Sequence, residues 1–266
     1  MFGGMAAGSL GFCLFTTIIF FVGSCIGSFV NVCIYRISRR MSVIIPRSFC
    51  PNCKRTLRWY ELIPVLSYLF LRGKCRSCGA WISIRYPIVE LICGGAFIFF
   101  FAAEGLTISF AAHSIFFVLL LTVFFIDWET LTIPDSIIIL GISFGIVLNV
   151  LDSIHTLFVS VITAVIAAAV MFGIRWMGNS IFKKETMGMG DVKLAALVGL
   201  FLGLQNFLIA VWAAAVLGCL YWLVKHFLLD SPRDMKIPFG SLLSLAAILV
   251  LILSYYLSAD CLRIIV

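Results

Sequence analysis

Apolar residues fall in long runs along this chain, and polar residues are gathered into a few places between them. The runs occupy roughly 12–34, 87–103, 108–126, 135–151, 156–174, 192–204, 207–224 and 238–258. Most reach or approach the ~20 residues that a helix needs to cross a bilayer. The sixth is too short to cross alone, and Gln205-Asn206 is the polar break between it and the seventh. The two are expected to form a hairpin, with a re-entrant segment as the alternative. The pattern predicts an all-α polytopic membrane protein with about eight transmembrane helices. Three regions are expected: a first transmembrane helix in 1–35, an extramembrane loop in 36–86, and a transmembrane core in 87–266. The first eleven residues hold no Lys or Arg, so the basic start of a cleavable signal is missing. The first run is expected to stay as a membrane helix.

Composition agrees with this pattern. Hydrophobic residues make up 63% of the chain and charged residues 12%, where a soluble domain would be about a quarter charged. The net charge of +7 raises nucleic acid as a partner until the basic residues are placed. Every Lys and Arg except Arg263 falls between runs 1 and 2, between 5 and 6 (with Lys193 at the rim of run 6), or between 7 and 8. Basic loops stay in the cytoplasm, so both termini are expected outside and these loops inside. The basic excess is therefore a topology signal, and no nucleic-acid partner is expected. The pattern specifies no oligomeric state.

The loop 36–86 holds Cys50-Pro51-Asn52-Cys53 and Cys75-Arg76-Ser77-Cys78, with 21 residues between the pairs. Two such knuckles supply four thiolates that can close a tetrahedron on zinc. Disulfides are the alternative, which a reducing cytoplasm disfavours. The loop is too polar to fold unaided, so metal would supply folding energy. A structural zinc is expected on Cys50, Cys53, Cys75 and Cys78, because four cysteines leave no open position for catalytic water. The other cysteines, Cys13, Cys25, Cys33, Cys93, Cys219 and Cys261, lie in or beside apolar runs and are expected to act as small buried hydrophobes. In run 1, Gly23 and Gly27 have the spacing of close helix packing in lipid. Glu90, just inside run 2, is expected to pair with Arg85 or Arg72.

Carboxylates at the ends of apolar runs need a partner or a task. Asp127 ends run 3, where the helix dipole gives an anion no support. Asp135 follows Pro134 at the start of run 4, where a carboxylate suits the helix N-terminus. Met187-Gly188-Met189-Gly190-Asp191-Val192-Lys193 opens run 6. Its plain reading is a glycine pair in a loop with Asp191 capping the next helix. The topology puts Asp127 and Asp191 at the same membrane edge. Two carboxylates there can share a proton, one activating water and the other protonating a leaving group. The remaining function classes are a transporter with a metal knuckle and a non-enzymatic membrane scaffold.

The chain resembles the bifunctional type IV prepilin peptidases, which are also N-methyltransferases. The resemblance runs through Gly27-Ser28-Phe29-Val30-Asn31, the four-cysteine loop and Arg58-Trp59-Tyr60-Glu61-Leu62-Ile63-Pro64. It continues through Arg85-Tyr86-Pro87, the stretch from Asp127 to Asp135, Gly188-Met189-Gly190-Asp191 and Ile237-Pro238-Phe239-Gly240. It implies a multi-pass enzyme of the bacterial inner membrane, with prepilins and pseudopilins as substrates. Such an enzyme cuts the basic leader after glycine at the cytoplasmic face. It then methylates the new N-terminal residue, often Phe, from S-adenosylmethionine. The resemblance implies Asp127 and Asp191 as the aspartic dyad, with Gly188 and Gly190 supporting the motif. It also links the cysteine loop, Gly73 and Lys74 to methyl transfer.

Overall fold

The structure, a computed structural model, describes residues 10–228 and 236–264. Arg233 and the side chain of Cys261 lie outside the described residues. All the long elements are helices: α1 (Leu10–Ile37), α2 (Leu66–Phe70), α3 (Arg85–Glu104), α4 (Ile108–Thr130), α5 (Asp135–Asp152), α6 (Ile154–Phe182), α7 (Met189–Leu228) and α8 (Phe239–Ile264). A 3₁₀ turn, Trp59–Leu62, precedes α2. Among the described residues, seven of these helices are long and apolar enough to cross a membrane. The protein is an all-α, multi-pass membrane protein.

The predicted runs map onto these helices in order, with one displaced break. Runs 6 and 7 both lie in α7, whose 40 residues would measure about 60 Å if straight, twice a hydrocarbon core of ~30 Å. The helix is interrupted at Gly203 (φ 73°, ψ 171°), while Gln205 and Asn206 continue as helix. Glycine adopts a positive φ without a Cβ clash, so the kink falls at Gly203 and not at the polar pair that was expected to break the run.

The chain divides into two compact units, Met1–Ser114 and Ile115–Val266. In the first, α1 packs along α3. A Cβ on Gly23 would lie 2.8 Å from the Cys93 carbonyl, and one on Gly27 would lie 2.9 Å from the Cα of Glu90. The two glycines thus permit backbone contact, the main source of helix association where lipid removes the hydrophobic drive. Asn31, fully buried on the same face, donates to the Tyr86 carbonyl at 3.1 Å. In the second unit α7 packs against α5, α6 and α8. Thr163 donates to the Gly199 carbonyl at 2.9 Å where α6 and α7 touch.

Two local expectations change. Of the cysteines beside the knuckles, Cys93 is buried, Cys33 is half-buried, and Cys13, Cys25 and Cys219 are exposed. The exposed ones lie on outward faces of apolar helices, where lipid is an adequate partner. Glu90 is buried, and its carboxylate accepts from the Val65 N–H at 2.7 Å with Ser28 beside it. These neutral donors replace the expected arginine because Val65, just before α2, folds back onto α3.

Candidate functional site

The second unit gathers four chain segments around two buried carboxylates. Asp127 stands in the last turn of α4 and Asp191 in the first turn of α7. They are 4% and 9% exposed, little enough that both need compensation from the protein. Asp191 lies close enough to Asp127 to feel its charge. Asp191 also accepts from the backbone amide of Gly188.

Support for Asp127 comes from a residue that sequence reading passed over. Ser241 donates to Asp127 Oδ2 twice, from its backbone N–H at 2.6 Å and from its hydroxyl at 3.0 Å. Ser241 is fully buried in the first turn of α8. First-turn amides have no partner within their own helix and sit at its positive end. Asp127 therefore leaves the unfavourable end of α4 only to cap the favourable end of α8. The available signal was Ile237-Pro238-Phe239-Gly240, which ends one residue short of Ser241.

Ile133 holds the segments together. It packs against both Gly190 and Gly240: added Cβ atoms there would lie 3.0 Å and 2.7 Å from its side chain. The Cβ at Gly240 would also lie 3.0 Å from Asp127 Oδ2. The absence of side chains at these positions lets α7 and α8 close on the α4–α5 loop. At Gly188 a Cβ would merely touch the Asp191 carboxylate at 3.5 Å. Arg175 of α6 braces the segment before the motif, donating to the Met187 carbonyl at 2.8 Å. Asp135 is kept apart from the pair: it is exposed and bonds Lys193 at 2.7 Å. Such a surface bridge contributes less than about 1 kcal/mol.

In the first unit, the knuckles repeat one backbone pattern. In the first, Cys50 N–H donates to the Arg55 carbonyl and Lys54 N–H to the Cys50 carbonyl, both at 2.9 Å. In the second, Cys75 N–H donates to the Ala80 carbonyl at 2.8 Å and Gly79 N–H to the Cys75 carbonyl at 2.9 Å. A single antiparallel bridge flanks each, Phe49 with Thr56 and Lys74 with Trp81. The pattern requires a positive φ at Lys54 and Gly79. It brings all four Sγ atoms within 4.8 Å of one another, with Cys50 and Sγ of Cys78 3.9 Å apart. Zinc–sulfur bonds of ~2.3 Å in a tetrahedron require sulfurs roughly 3.8 Å apart, so these residues fit zinc. The backbone amides of Cys78 and Ser77 point at Cys75 and bring its thiol down to about 6. At Cys53 the Arg55 amide also lowers the thiol, but desolvation and the neighbouring thiols outweigh it and push the group up to about 11. Beside the knuckles, Glu61 is buried and accepts from Arg55 at 2.6 Å and from the Arg58 N–H at 2.8 Å. Burial alone would raise its carboxyl, but these donors hold it below its usual range.

Gly73 and Lys74 stand just before the second knuckle. Gly73 has a φ of +67°, and a Cβ on it would lie 2.9 Å from the Tyr68 hydroxyl. Lys74 Nζ lies 4.5 Å from the centre of the Trp81 ring.

Residues 21–103 match the profile of the bacterial peptidase A24 N-terminal domain, and residues 114–223 that of the type IV leader peptidase family. A protein of Aeromonas salmonicida (strain A449) named prepilin leader peptidase/N-methyltransferase is 30% identical, over 90% of this chain and 91% of its own. The chain belongs to the type IV leader peptidase family. A relative of the same name from Dichelobacter nodosus is 33% identical, over 86% of this chain and 89% of its own. Another from Myxococcus xanthus (strain DK1622) is 36% identical, over 71% of this chain. In that case the match spans 56% of the relative's length. No solved structure gives a significant match. The two family regions divide the molecule much as the structure does, with the knuckles in the first and the aspartate pair in the second.

Proposed function

We propose that this protein cleaves the leader peptides of prepilins and pseudopilins and then N-methylates the newly exposed amine, with Asp127 and Asp191 as its peptidase dyad. The observation that carries the peptidase reading is the meeting of two buried carboxylates from distant parts of the chain in a family of leader peptidases. One carboxylate takes a proton from water as its oxygen attacks the scissile carbonyl. The other gives a proton to the departing amine nitrogen as the C–N bond breaks. Ser241 occupies Asp127 Oδ2, so proton transfer at this residue falls to Oδ1. Gly188 and Gly190 keep side chains away from the opening of α7.

Loop 36–86 serves methyl transfer, 87–266 forms the peptidase core, and the first helix lies within 1–35. The knuckles hold a structural zinc that fixes the loop. S-adenosylmethionine, the methyl donor, supplies an electrophilic methyl group on a sulfonium. The charge bias supports an inner-membrane protein with both termini periplasmic and its active site at the cytoplasmic face.

The deciding assay mixes protein in detergent micelles with a prepilin carrying a basic leader and a Gly-Phe junction. Gel shift reads cleavage, and mass spectrometry of the new N-terminus reads the methyl group. An uncut prepilin would refute the reading.

Ser241→Ala removes one of the two donors to Asp127. Charged hydrogen bonds of this kind are worth ~1.5–3 kcal/mol, so kcat for cleavage is expected to fall about tenfold with little change in KM. Ser241→Thr, which restores a hydroxyl, is expected to recover most of the loss. An unchanged kcat in the Ala variant would remove Ser241 from the site.

Leader recognition by acidic residues is assigned to Glu129 and Glu185, both exposed, with Arg175 3.8 Å from Glu185, whereas Glu61 is buried against Arg55. Charge reversal at either is expected to raise KM for a leader rich in Lys and Arg and to spare one with fewer basic residues. If neither reversal changes KM, recognition rests on the apolar prepilin helix instead.

A further inference from the structure

The first unit holds a partly open cavity of about 380 Å³, within the range of small-molecule sites. Its walls come from the inner end of α1, both knuckles, α2 and the start of α3. Buried Cys50 and Cys75 form part of the wall, so the metal centre shapes the cavity directly.

The side chains define what would fit. Tyr35, Phe49, Tyr68, Trp81 and Tyr86 all line the space, an aromatic density suited to a flat heterocycle. Two buried carboxylates, Glu61 and Glu90, also line it. Glu61 is neutralised by Arg55 at 2.6 Å. Glu90 receives its hydrogen bonds from neutral groups, the Val65 N–H and Ser28, and has no basic side chain among these partners. The guanidinium of Arg36, which also lines the space, is buried and donates to the carbonyls of Ser42, Val43 and Pro46. Arg76 and Arg85 line the space as well, so the walls present both signs of charge and suit a zwitterionic ligand that also carries an aromatic surface.

We propose that this cavity is the S-adenosylmethionine site, with Glu90 facing the ligand's positive charge and Tyr68 and Trp81 flanking its adenine. The assignment rests on the methyl-transfer reading above and adds a location to it. A sulfonium beside a buried carboxylate exchanges water for a fixed opposite charge, and an adenine between aromatic rings gains stacking area. Gly73 and Lys74 act from outside the lining. The missing side chain at Gly73 leaves the Tyr68 hydroxyl its space, and Lys74 lies over Trp81. Both are positioning residues for the aromatic walls. A methyl group at Gly73 would drive Tyr68 into the cavity.

The test measures binding of S-adenosylmethionine to zinc-loaded, full-length protein in detergent by equilibrium dialysis. Product methylation by the same wild-type preparation is scored in parallel. Glu90→Gln, which keeps the shape of the side chain, is expected to weaken binding about tenfold or more. Tyr68→Ala is expected to weaken it about tenfold, and Tyr68→Phe much less. Zinc content and melting temperature establish that each variant is folded. Independently of any variant, ultraviolet cross-linking of S-adenosylmethionine to the wild type is expected to label peptides from 28–36 or 48–90. Labelling elsewhere, or full-strength binding by both Glu90→Gln and Tyr68→Ala, overturns the site while leaving methyl transfer intact. A wild type that cleaves but neither methylates nor binds overturns the methyl-transfer reading, and this site with it.

Discussion

Asp191→Asn and Asp127→Asn are each expected to reduce leader cleavage by about a thousandfold or more, with prepilin still bound. General acid–base groups contribute roughly 10²–10⁴-fold, and an amide can neither take the proton from water nor return one to the leaving amine. The substitutions are nearly isosteric, so the packing of Ile133 between Gly190 and Gly240 is preserved. Asp135→Asn is the informative control. It lies eight residues from Asp127 in sequence but is exposed and paired with Lys193, so cleavage is expected to change little. The readout is kcat from a gel-shift time course, with binding measured by co-purification of uncut prepilin. If both variants cleave normally, the dyad is wrong. A transporter would then show altered flux with no proteolysis to lose, and a scaffold would show no effect of either substitution.

Removing the metal is expected to have the opposite selectivity. Chelation, or Cys75→Ser, is expected to lower product methylation at least about a hundredfold while cleavage persists. Structural zinc contributes apparent binding energies of ~10–16 kcal/mol in small domains. Loop 36–86 has little else to hold it: one short helix, one 3₁₀ turn and two single bridges. The side chains described around Asp127 and Asp191 come from the second unit, and the knuckles belong to the first. Mass spectrometry of the cleaved N-terminus separates the two activities, and re-addition of zinc is expected to restore the methyl group. Retention of methylation after complete chelation would show that zinc has no structural role here.

Several features could be read from the chain because they depend on local pattern. Helix order follows from runs of apolar residues matched to bilayer thickness, although runs 6 and 7 share one helix, leaving seven candidate spans among the described residues instead of about eight. The knuckles follow from spacing, since two residues between cysteines set the turn that aims both sulfurs at one point. Asp127 and Asp191 were visible because a carboxylate at the end of an apolar run needs a reason. The break in α7 was misplaced by two residues because polarity was used as the marker, whereas the backbone turned at the residue that tolerates positive φ.

What the sequence by itself determined is the membrane class, the order of helices, the metal ligands and the identity of the two candidate carboxylates. Each is set by side-chain chemistry at short range or by the hydrophobic length of a segment. The tertiary structure alone decided the partners. Ser241 reaches Asp127 across more than a hundred residues, and the adjoining Ile237-Pro238-Phe239-Gly240 motif marks its segment without showing which carboxylate it meets. Glu90 exchanges an expected arginine for neutral donors because a loop folds back onto α3. The cavity likewise exists only where two knuckles, α2 and two helix ends converge. Long-range packing chooses which polar groups meet, and in a chain so rich in equivalent apolar contacts those choices are not written in local pattern.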